Sequence, residues 1–165
     1  MSNQKIYLIG MPNAGKSTIA KSLAKELNYD LYCLDDIITD RTKMSISEIF
    51  KHYGQSYFRQ LETQILKEID ALSVNLVVDC GGGIVEKLEN KQYMKGLVIG
   101  LDRNLEDLKK DINVTNRPLL QEKTIEQIKE ERKEKYLMFA DVLIENKTIN
   151  QTLQQILTII KNENN

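Results

Sequence analysis

The chain has 165 residues, with 23 Lys and Arg side chains against 24 Asp and Glu side chains, and a formal net charge of −1. This balance gives no reason to expect nucleic acid or an anionic membrane as a general partner. No apolar run approaches the ~20 residues of a membrane-spanning helix. The first residues lead directly into an apolar run, so we expect no signal peptide and a cytoplasmic, soluble protein. The length suits one domain.

Short apolar runs alternate with longer segments of helical spacing along the chain. The runs lie at 6–9, 31–34, 76–78, 97–101 and 142–144, and the helical segments at 16–27, 45–53, 57–72, 105–110, 125–138 and 152–161. This alternation predicts an α/β fold with a mostly parallel sheet flanked by helices. Because such sheets bind ligands beyond the carboxyl ends of their strands, we expect the chemistry in the segments that follow the apolar runs.

Residues 10–17, GMPNAGKS, match the pattern G-x-x-x-x-G-K-[ST] at every fixed position. They follow the first apolar run and open a helical segment, which is the context of a phosphate-binding P-loop. The pattern predicts that backbone N–H groups and Lys16 bind the phosphates of a nucleoside triphosphate, and that the Ser17 hydroxyl binds Mg²⁺. The predicted nucleotide-binding residues here are Asn13, Ala14, Gly15, Lys16, Ser17 and Thr18.

Asp35 follows the second apolar run, where it could accept a proton from a hydroxyl that attacks the terminal phosphate. A helix N-cap is the alternative interpretation of this residue. Arg59 lies early in a helical segment and could face Asp35 across a cleft. Cys33 and Cys80 stand at predicted strand ends, where we expect two free thiols.

The third apolar run ends in Asp79 and is followed by three consecutive glycines, 81–83. Asp79 has the form of an acid that holds Mg²⁺, or alternatively of an acid that caps the next turn. Consecutive glycines expose backbone N–H groups to a ligand at close range. Arg117 and Arg132 could neutralise charge on a transferring phosphoryl group, although a single arginine more often lies on the surface.

The ordered set of these motifs resembles shikimate kinases, which belong to the nucleoside-monophosphate-kinase-like branch of P-loop proteins. The resemblance runs from about residue 5 to residue 144 and rests on segments 10–18, 34–42, 46–62, 81–83, 117–120 and 132–141. It implies a single-domain P-loop NTPase fold over 1–165, with a five-stranded parallel sheet and a mobile lid at about 109–123. From size and composition we expect a monomer, and from the balanced charge we expect no nucleic acid or membrane partner.

The resemblance assigns a reaction, transfer of the γ-phosphoryl group of ATP to the 3-hydroxyl of shikimate with Mg²⁺. Asp35 would bind and orient the acceptor hydroxyl, and Lys16 would act with it in catalysis. Arg59 and Arg132 would hold the shikimate carboxylate, a planar anion that suits a guanidinium fork. Other implied roles are substrate contacts from Gly82 and Gly83, and catalytic and nucleotide contacts from Arg117 on the lid.

Two positions depart from the family pattern. Cys33 stands where the family usually has an acid that contributes to the Mg²⁺ shell, and a neutral thiol is a poor ligand for a hard cation. We hypothesise that Asp79 supplies the missing carboxylate. Lys110 stands where the lid usually has an arginine, and the segment 145–150 shows no clear match to the family's adenine-contacting arginine.

Three alternatives remain open at the level of sequence. A GTP-dependent switch protein is suggested by D-x-x-G at 79–82 and by Asn146 with Lys147, but Ile149 replaces the aspartate that reads guanine. A kinase of another small hydroxy acid, such as gluconate, would keep the same arginines. A degenerate nucleotide-binding protein is suggested by Cys33 and Lys110.

Overall fold

The computed structural model describes residues 3–110 and 117–165, and these residues form one parallel sheet flanked by helices. The strands are β1 (Lys5–Gly10), β2 (Asp30–Cys33), β3 (Leu76–Asp79), β4 (Leu97–Asp102) and β5 (Val142–Glu145), in the spatial order β2-β3-β1-β4-β5. Every neighbouring pair in this order is parallel. The predicted α/β class and five-stranded sheet are therefore confirmed.

The described helices are α1 (Lys16–Leu27), α2 (Leu34–Thr42), α3 (Ile46–Ala71), α4 (Leu105–Lys109), α5 (Ile125–Phe139) and α6 (Ile149–Glu163). Within the described residues, 3₁₀ turns lie at Ile84–Glu86, Leu88–Tyr93 and Pro118–Gln121. In α3, Gly54 has a left-handed φ of 84°, which interrupts the helix between the two segments predicted from sequence. The predicted lid, 109–123, lies only partly within this description, because residues 111–116 fall outside the described residues.

Helix α2 was not predicted, and Leu34 was assigned to a strand although it begins this helix. The sequence there is short and rich in β-branched residues, but Leu34 and Ile38 are one turn apart and both are buried. The N-cap is Cys33, and Asp35 lies in the first turn. The interpretation of Asp35 as an N-cap is therefore wrong.

Strand β1 lies at the centre of the sheet, and its residues Ile6, Tyr7, Leu8 and Ile9 have no exposed surface. Helices cover both faces of such a sheet, which explains why its strands read as continuous apolar runs. Among the described residues, none of the helices is long and apolar enough to cross a membrane. The carboxyl ends of β1, β2 and β3 meet at one edge, and the polar residues predicted from sequence follow these ends.

Candidate active site

The P-loop connects β1 to α1 as predicted. Gly15 is the N-cap of α1 with φ 93°, and Asn13 is also left-handed with φ 67°. A Cβ atom at Gly15 would collide with the Asn146 side chain, whose Nδ2 donates to the Ala14 carbonyl oxygen at 2.8 Å. Ala14 itself is fully buried, and its N–H donates to the Met11 carbonyl oxygen. Asn146 thus fixes the loop from the end of β5, a role that the sequence did not indicate.

Lys16 extends back into this loop. Its Nζ donates to the carbonyl oxygens of Gly10 and Met11, each at 2.9 Å, and the side chain is buried. Burial lowers the pKa of Lys16 to about 8, and the negative charge of Asp79 only partly opposes this effect. The carbonyl oxygens that bind this buried ammonium group are neutral, so they do not balance its positive charge. An anion beside Lys16 would therefore be strongly attracted.

Asp79 and Ser17 place two oxygen atoms that could bind a metal ion close together at the start of α1. The Ser17 hydroxyl donates to Asp79 Oδ2 at 2.8 Å, and Asp79 pairs with Cys33 across the β2–β3 register. A hydroxyl and a carboxylate are the hard oxygen ligands that Mg²⁺ prefers, usually alongside phosphate oxygens and water. The two side chains fit a metal held jointly with a nucleotide. Among the described residues, no group of three or more His, Cys, Asp or Glu side chains could hold a metal alone.

Asp35 points its carboxylate into the same region from α2. Its Oδ1 atom is inaccessible to solvent and has no hydrogen-bonding partner among the described residues. Burial raises the pKa of Asp35, while the charge of Lys16 opposes this shift and that of Asp79 adds to it. An unpartnered acceptor in a buried position is costly, and a donor such as a substrate hydroxyl would satisfy it.

Arg59 lies on α3 and forms a buried ion pair with Glu62, one turn further along the helix. Arg59 Nη1 donates to Glu62 Oε1 at 2.6 Å, and the two residues are 7% and 0% exposed. Glu62 Oε2 has no partner among the described residues, and burial raises the pKa of Glu62 against the opposing charge of Arg59. Sequence reasoning gave Glu62 no role, although its i,i+3 spacing from Arg59 was visible.

The three glycines 81–83 let charged side chains approach the backbone. A Cβ at Gly81 would lie 2.9 Å from Glu62 Oε2 and 3.2 Å from Asp35 Oδ1, and one at Gly83 would collide with the Arg59 guanidinium. At Gly82 the same atom would lie 3.3 Å from Arg132 Nη1. Each glycine therefore makes room for one or two of these groups.

Arg132 comes from α5 and is 3% exposed, so it does not lie on the surface. Its Nε donates to Glu86 Oε1 at 2.8 Å, and Lys135 Nζ donates to Glu86 Oε2 at 2.9 Å. The Tyr136 hydroxyl donates to the Gly82 carbonyl oxygen at 2.6 Å, which ties α5 to the glycine run. Glu86 and Tyr136 are further polar residues to which sequence reasoning gave no role.

Arg117 is half-buried at the start of the turn Pro118–Gln121. Burial lowers the pKa of Arg117, and the nearby charge of Asp35 opposes the shift. Lys110, at the other side of the predicted lid, is paired with Asp107 at 2.7 Å. Its carbonyl oxygen accepts from Asn13 Nδ2 at 2.5 Å, so the P-loop contacts the residue next to the undescribed part of the lid.

These groups line two adjoining cavities. The larger, of about 250 Å³, is lined by the P-loop residues Asn13, Gly15, Lys16, Ser17 and Thr18 together with Cys33 and Asp79; we call it the donor cavity. The smaller, of about 100 Å³, is lined by Arg59, Glu62, Gly83, Arg132 and apolar neighbours; we call it the acceptor cavity. Both cavities are also lined by Asp35, Gly81, Gly82 and Arg117. The arrangement can bring a nucleotide phosphate and a small polar acid to one carboxylate.

Comparison with known proteins identifies the family. A protein-family profile described as shikimate kinase matches residues 12–161. The chain is 40% identical to a shikimate kinase of Clostridium botulinum (strain Eklund 17B / Type B), over 96% of this chain and 98% of that protein. It is also 40% identical to a shikimate kinase of Sulfurihydrogenibium sp., over 96% and 98% of the two chains.

Solved structures agree with this assignment. Shikimate kinase from Acinetobacter baumannii in complex with shikimate superposes with a TM-score of 0.89 at 30% identity, covering 98% of this chain and 94% of that chain. Shikimate kinase from Aquifex aeolicus gives a TM-score of 0.81 at 31% identity, covering 97% and 98%. A thymidylate kinase from Candida albicans, at 18% identity and a TM-score of 0.61, shares the fold. The chain belongs to the shikimate kinase family, and it is accordingly an enzyme that phosphorylates shikimate with ATP and Mg²⁺.

Proposed function

We propose that the donor and acceptor cavities divide this reaction between them, and that Asp35 acts where they meet. The donor cavity binds the ATP phosphates through the P-loop backbone and Lys16. The acceptor cavity binds shikimate and directs its 3-hydroxyl toward Asp35. The carboxylate accepts a hydrogen bond or the proton from this hydroxyl as its oxygen attacks the γ-phosphorus atom and the bond to ADP breaks.

The single observation that supports this division is the shared lining of the two cavities. Asp35, Gly81, Gly82 and Arg117 border both of them. Asp35 has the raised pKa and the unpartnered oxygen expected of a proton acceptor that waits for its substrate. Arg117 borders the same junction, where its positive charge would stabilise the negative charge of the transferring phosphoryl group.

Two arginines favour a carboxylic acid as the acceptor. Arg59 and Arg132 line the acceptor cavity from α3 and α5, and both are buried. A guanidinium binds a carboxylate with paired, charge-assisted hydrogen bonds, and Arg59 and Arg132 give the acceptor cavity two such groups. Gly82 and Gly83 bring the backbone close to the same space, which favours a compact ring over an open chain such as gluconate.

We also propose that Ser17 and Asp79 hold Mg²⁺ together with the phosphates of ATP. Their contact at 2.8 Å and the absence of an acid at position 33 support this assignment. The metal ion neutralises phosphate charge when it is bound. Asp79 in this proposal replaces the carboxylate that the family usually places two residues before Asp35.

We further propose that residues 1–165 form one kinase domain, that the segment 109–123 closes over ATP, and that the enzyme works as a monomer in the cytoplasm. The half-buried position of Arg117 beside Asp35 supports a lid that carries a catalytic arginine. A monomer is supported by the site itself, since one chain supplies both cavities.

Release of ADP from Mg-ATP tests the proposed function. We expect ADP release that depends on shikimate, with much lower rates when gluconate is the acceptor or GTP is the donor. The product should carry phosphate on the 3-hydroxyl, which ³¹P–¹H NMR coupling identifies. Turnover with gluconate at a comparable kcat/KM would contradict the assignment of the acceptor cavity, and ADP release without any acceptor would contradict the role of Asp35 as a junction between two substrates.

A further inference from the structure

Glu86 lies behind Arg132, at the end of the 3₁₀ turn that follows the glycine run. Its Oε1 accepts from Arg132 Nε at 2.8 Å, and its Oε2 accepts from Lys135 Nζ at 2.9 Å. Among the described residues that line the acceptor cavity, Arg132 is present and Glu86 is not. The carboxylate therefore contacts the guanidinium without occupying the space for the substrate.

The hydrogen bond to Nε determines how the guanidinium is presented. A guanidinium has five N–H donors in one plane, and a hydrogen bond at Nε fixes that plane while N–H groups on the terminal nitrogens stay available for another acceptor. Nη1 lies next to Gly82, 3.3 Å from where a Cβ would stand. Arg132 thus offers its terminal nitrogens to the same backbone segment that borders the acceptor cavity.

Glu86 is ionised and is held in place by two hydrogen-bonding partners. Burial opposes ionisation, but the hydrogen bonds from Lys135 and Arg132 outweigh it, and the pKa of Glu86 is lowered. The residue is therefore a carboxylate at neutral pH. It comes from the turn Ile84–Glu86, whereas both of its partners lie on α5, so the contact also fixes α5 relative to the glycine run.

We propose that Glu86 is a positioning residue for acceptor recognition, which holds the Arg132 guanidinium in the orientation that pairs with the substrate carboxylate. This inference rests on the proposed role of Arg132. Glu86 has two opposing effects on substrate binding. It orients the Arg132 guanidinium, which favours binding, but its negative charge near the site repels the substrate anion. The affinity gained from the fixed orientation of Arg132 therefore exceeds the affinity lost through this repulsion.

Two substitutions separate orientation from charge. E86Q removes the negative charge and keeps an oxygen that can accept from Arg132 Nε, so we expect the KM for shikimate to stay within about twofold of the wild-type value. E86A removes both the charge and the accepting oxygen. We therefore expect the KM for shikimate to rise about tenfold, as for loss of one charged hydrogen bond. We expect kcat and the KM for ATP to stay within about twofold of the wild-type values. A lower KM for shikimate in both variants would mean that Glu86 acts by charge alone and would overturn the proposal.

A neutral acceptor distinguishes positioning from a general structural defect. The methyl ester of shikimate keeps the hydroxyls and lacks the carboxylate charge, so E86A should lower kcat/KM for shikimate about tenfold more than for the ester. Equal losses with both acceptors would contradict a role through Arg132. E89Q is the matched control, because Glu89 pairs with Lys87 at 3.2 Å in the next turn and we expect no change.

The R132A variant separates failure of this inference from failure of the proposed function. If Arg132 binds the carboxylate, R132A reduces the preference for shikimate over its ester, and adding E86A to R132A causes no further loss. If R132A leaves the preference unchanged, the assigned role of Arg132 is wrong and the role of Glu86 is wrong with it. A preference that falls in R132A but not in E86A would overturn the Glu86 proposal alone.

Discussion

The two cavities are built in opposite ways. The stretch 13–18 contributes more residues to the lining of the donor cavity than any other segment, and its conformation depends on backbone geometry around Gly15. The acceptor cavity is lined by side chains from α2, α3 and α5 and by the backbone of the glycine run. The proposed nucleotide side is therefore formed largely by a local loop, whereas the proposed acceptor side depends on helices packing at the correct distance.

The positively charged side chains of the two cavities also differ in their partners. On the nucleotide side, Lys16 is bound by two neutral carbonyl oxygens, and its cation lacks a direct carboxylate partner among the described ion pairs. On the acceptor side, Arg59 and Arg132 each contact a glutamate. A cation without a counter-ion suits a highly charged ligand, while paired arginines keep their orientation for a singly charged ligand. Four experiments test this comparison.

The largest effect is expected where the cavities meet. D35N keeps the size of the side chain and removes its ability to accept a proton, so we expect kcat to fall roughly 10²–10⁴-fold while the KM for ATP changes little. Because burial raises the pKa of Asp35, the wild-type kcat/KM should decline as the pH falls through that raised value. Steady-state kinetics across pH measure both effects.

D36N is the control for this experiment, since Asp36 is the exposed neighbour on the same turn of α2. We expect wild-type kinetics from it. A kcat for D35N close to the wild-type value would return Asp35 to a structural role and remove the functional distinction of the junction.

The next largest effect is expected for the acceptor side alone. G83A places a methyl group against the Arg59 guanidinium and should displace it from Glu62, so we expect the Kd for shikimate to rise roughly 30-fold with the Kd for ATP unchanged. Isothermal titration calorimetry measures both constants. R59A should give a similar loss, and the two substitutions together should not add.

R41A is the matched control for R59A, because Arg41 forms an exposed pair with Glu68, which lies on the same helix as Arg59. Loss of this pair should leave the Kd for shikimate unchanged. If G83A weakens ATP binding as much as shikimate binding, the two cavities do not bind their ligands independently.

An effect of about tenfold is expected from pH on the nucleotide side. The pKa of Lys16 is lowered to about 8, so the group is protonated below this value and loses its charge above it. Since the cation attracts the phosphates, the Kd for Mg-ATP should rise about tenfold between pH 7 and pH 9. Titrations at pH 8 in buffers of different ionisation enthalpy should show proton uptake on binding.

The shikimate titration serves as the internal reference, because Lys16 does not line the acceptor cavity proposed for shikimate. We expect its Kd to change little. A Kd for Mg-ATP that is flat from pH 7 to pH 9 would show that the charge of Lys16 does not determine nucleotide affinity.

The smallest effect is expected at Asp79. D79N should raise the Mg²⁺ concentration for half-maximal activity about fivefold, because phosphate oxygens and water supply most ligands of a nucleotide-bound Mg²⁺. A titration of activity with Mg²⁺ at fixed ATP measures this. Adding C33D to D79N should restore the wild-type requirement, since Cys33 lies beside Asp79 in the β2–β3 register. An unchanged Mg²⁺ requirement in D79N would contradict its assignment as a metal ligand.

The difference between the cavities also explains which parts could be predicted from sequence. The strand, loop and helix around Lys16 were predicted with their bounds nearly correct, because the pattern that specifies them is contiguous. Helix α2 was missed because its first residue continues an apolar run, and only burial of Leu34 and Ile38 against the core makes the segment helical. The same packing places Asp35 in the first turn of a helix.

The sequence by itself determined the α/β class, the P-loop, the family and, to within one residue, the starts of α1, α3, α4 and α5. These features depend on local residue spacing, on backbone geometry and on an ordered set of motifs, all of which can be recognised in the order of the residues. The tertiary structure alone decided that Glu62 holds Arg59, that Glu86 holds Arg132, and that each glycine of 81–83 stands opposite a charged group. Of these contacts, only the Arg59–Glu62 pair is local in sequence; the others join residues from separate elements, whose distances exist only once the helices pack on the sheet.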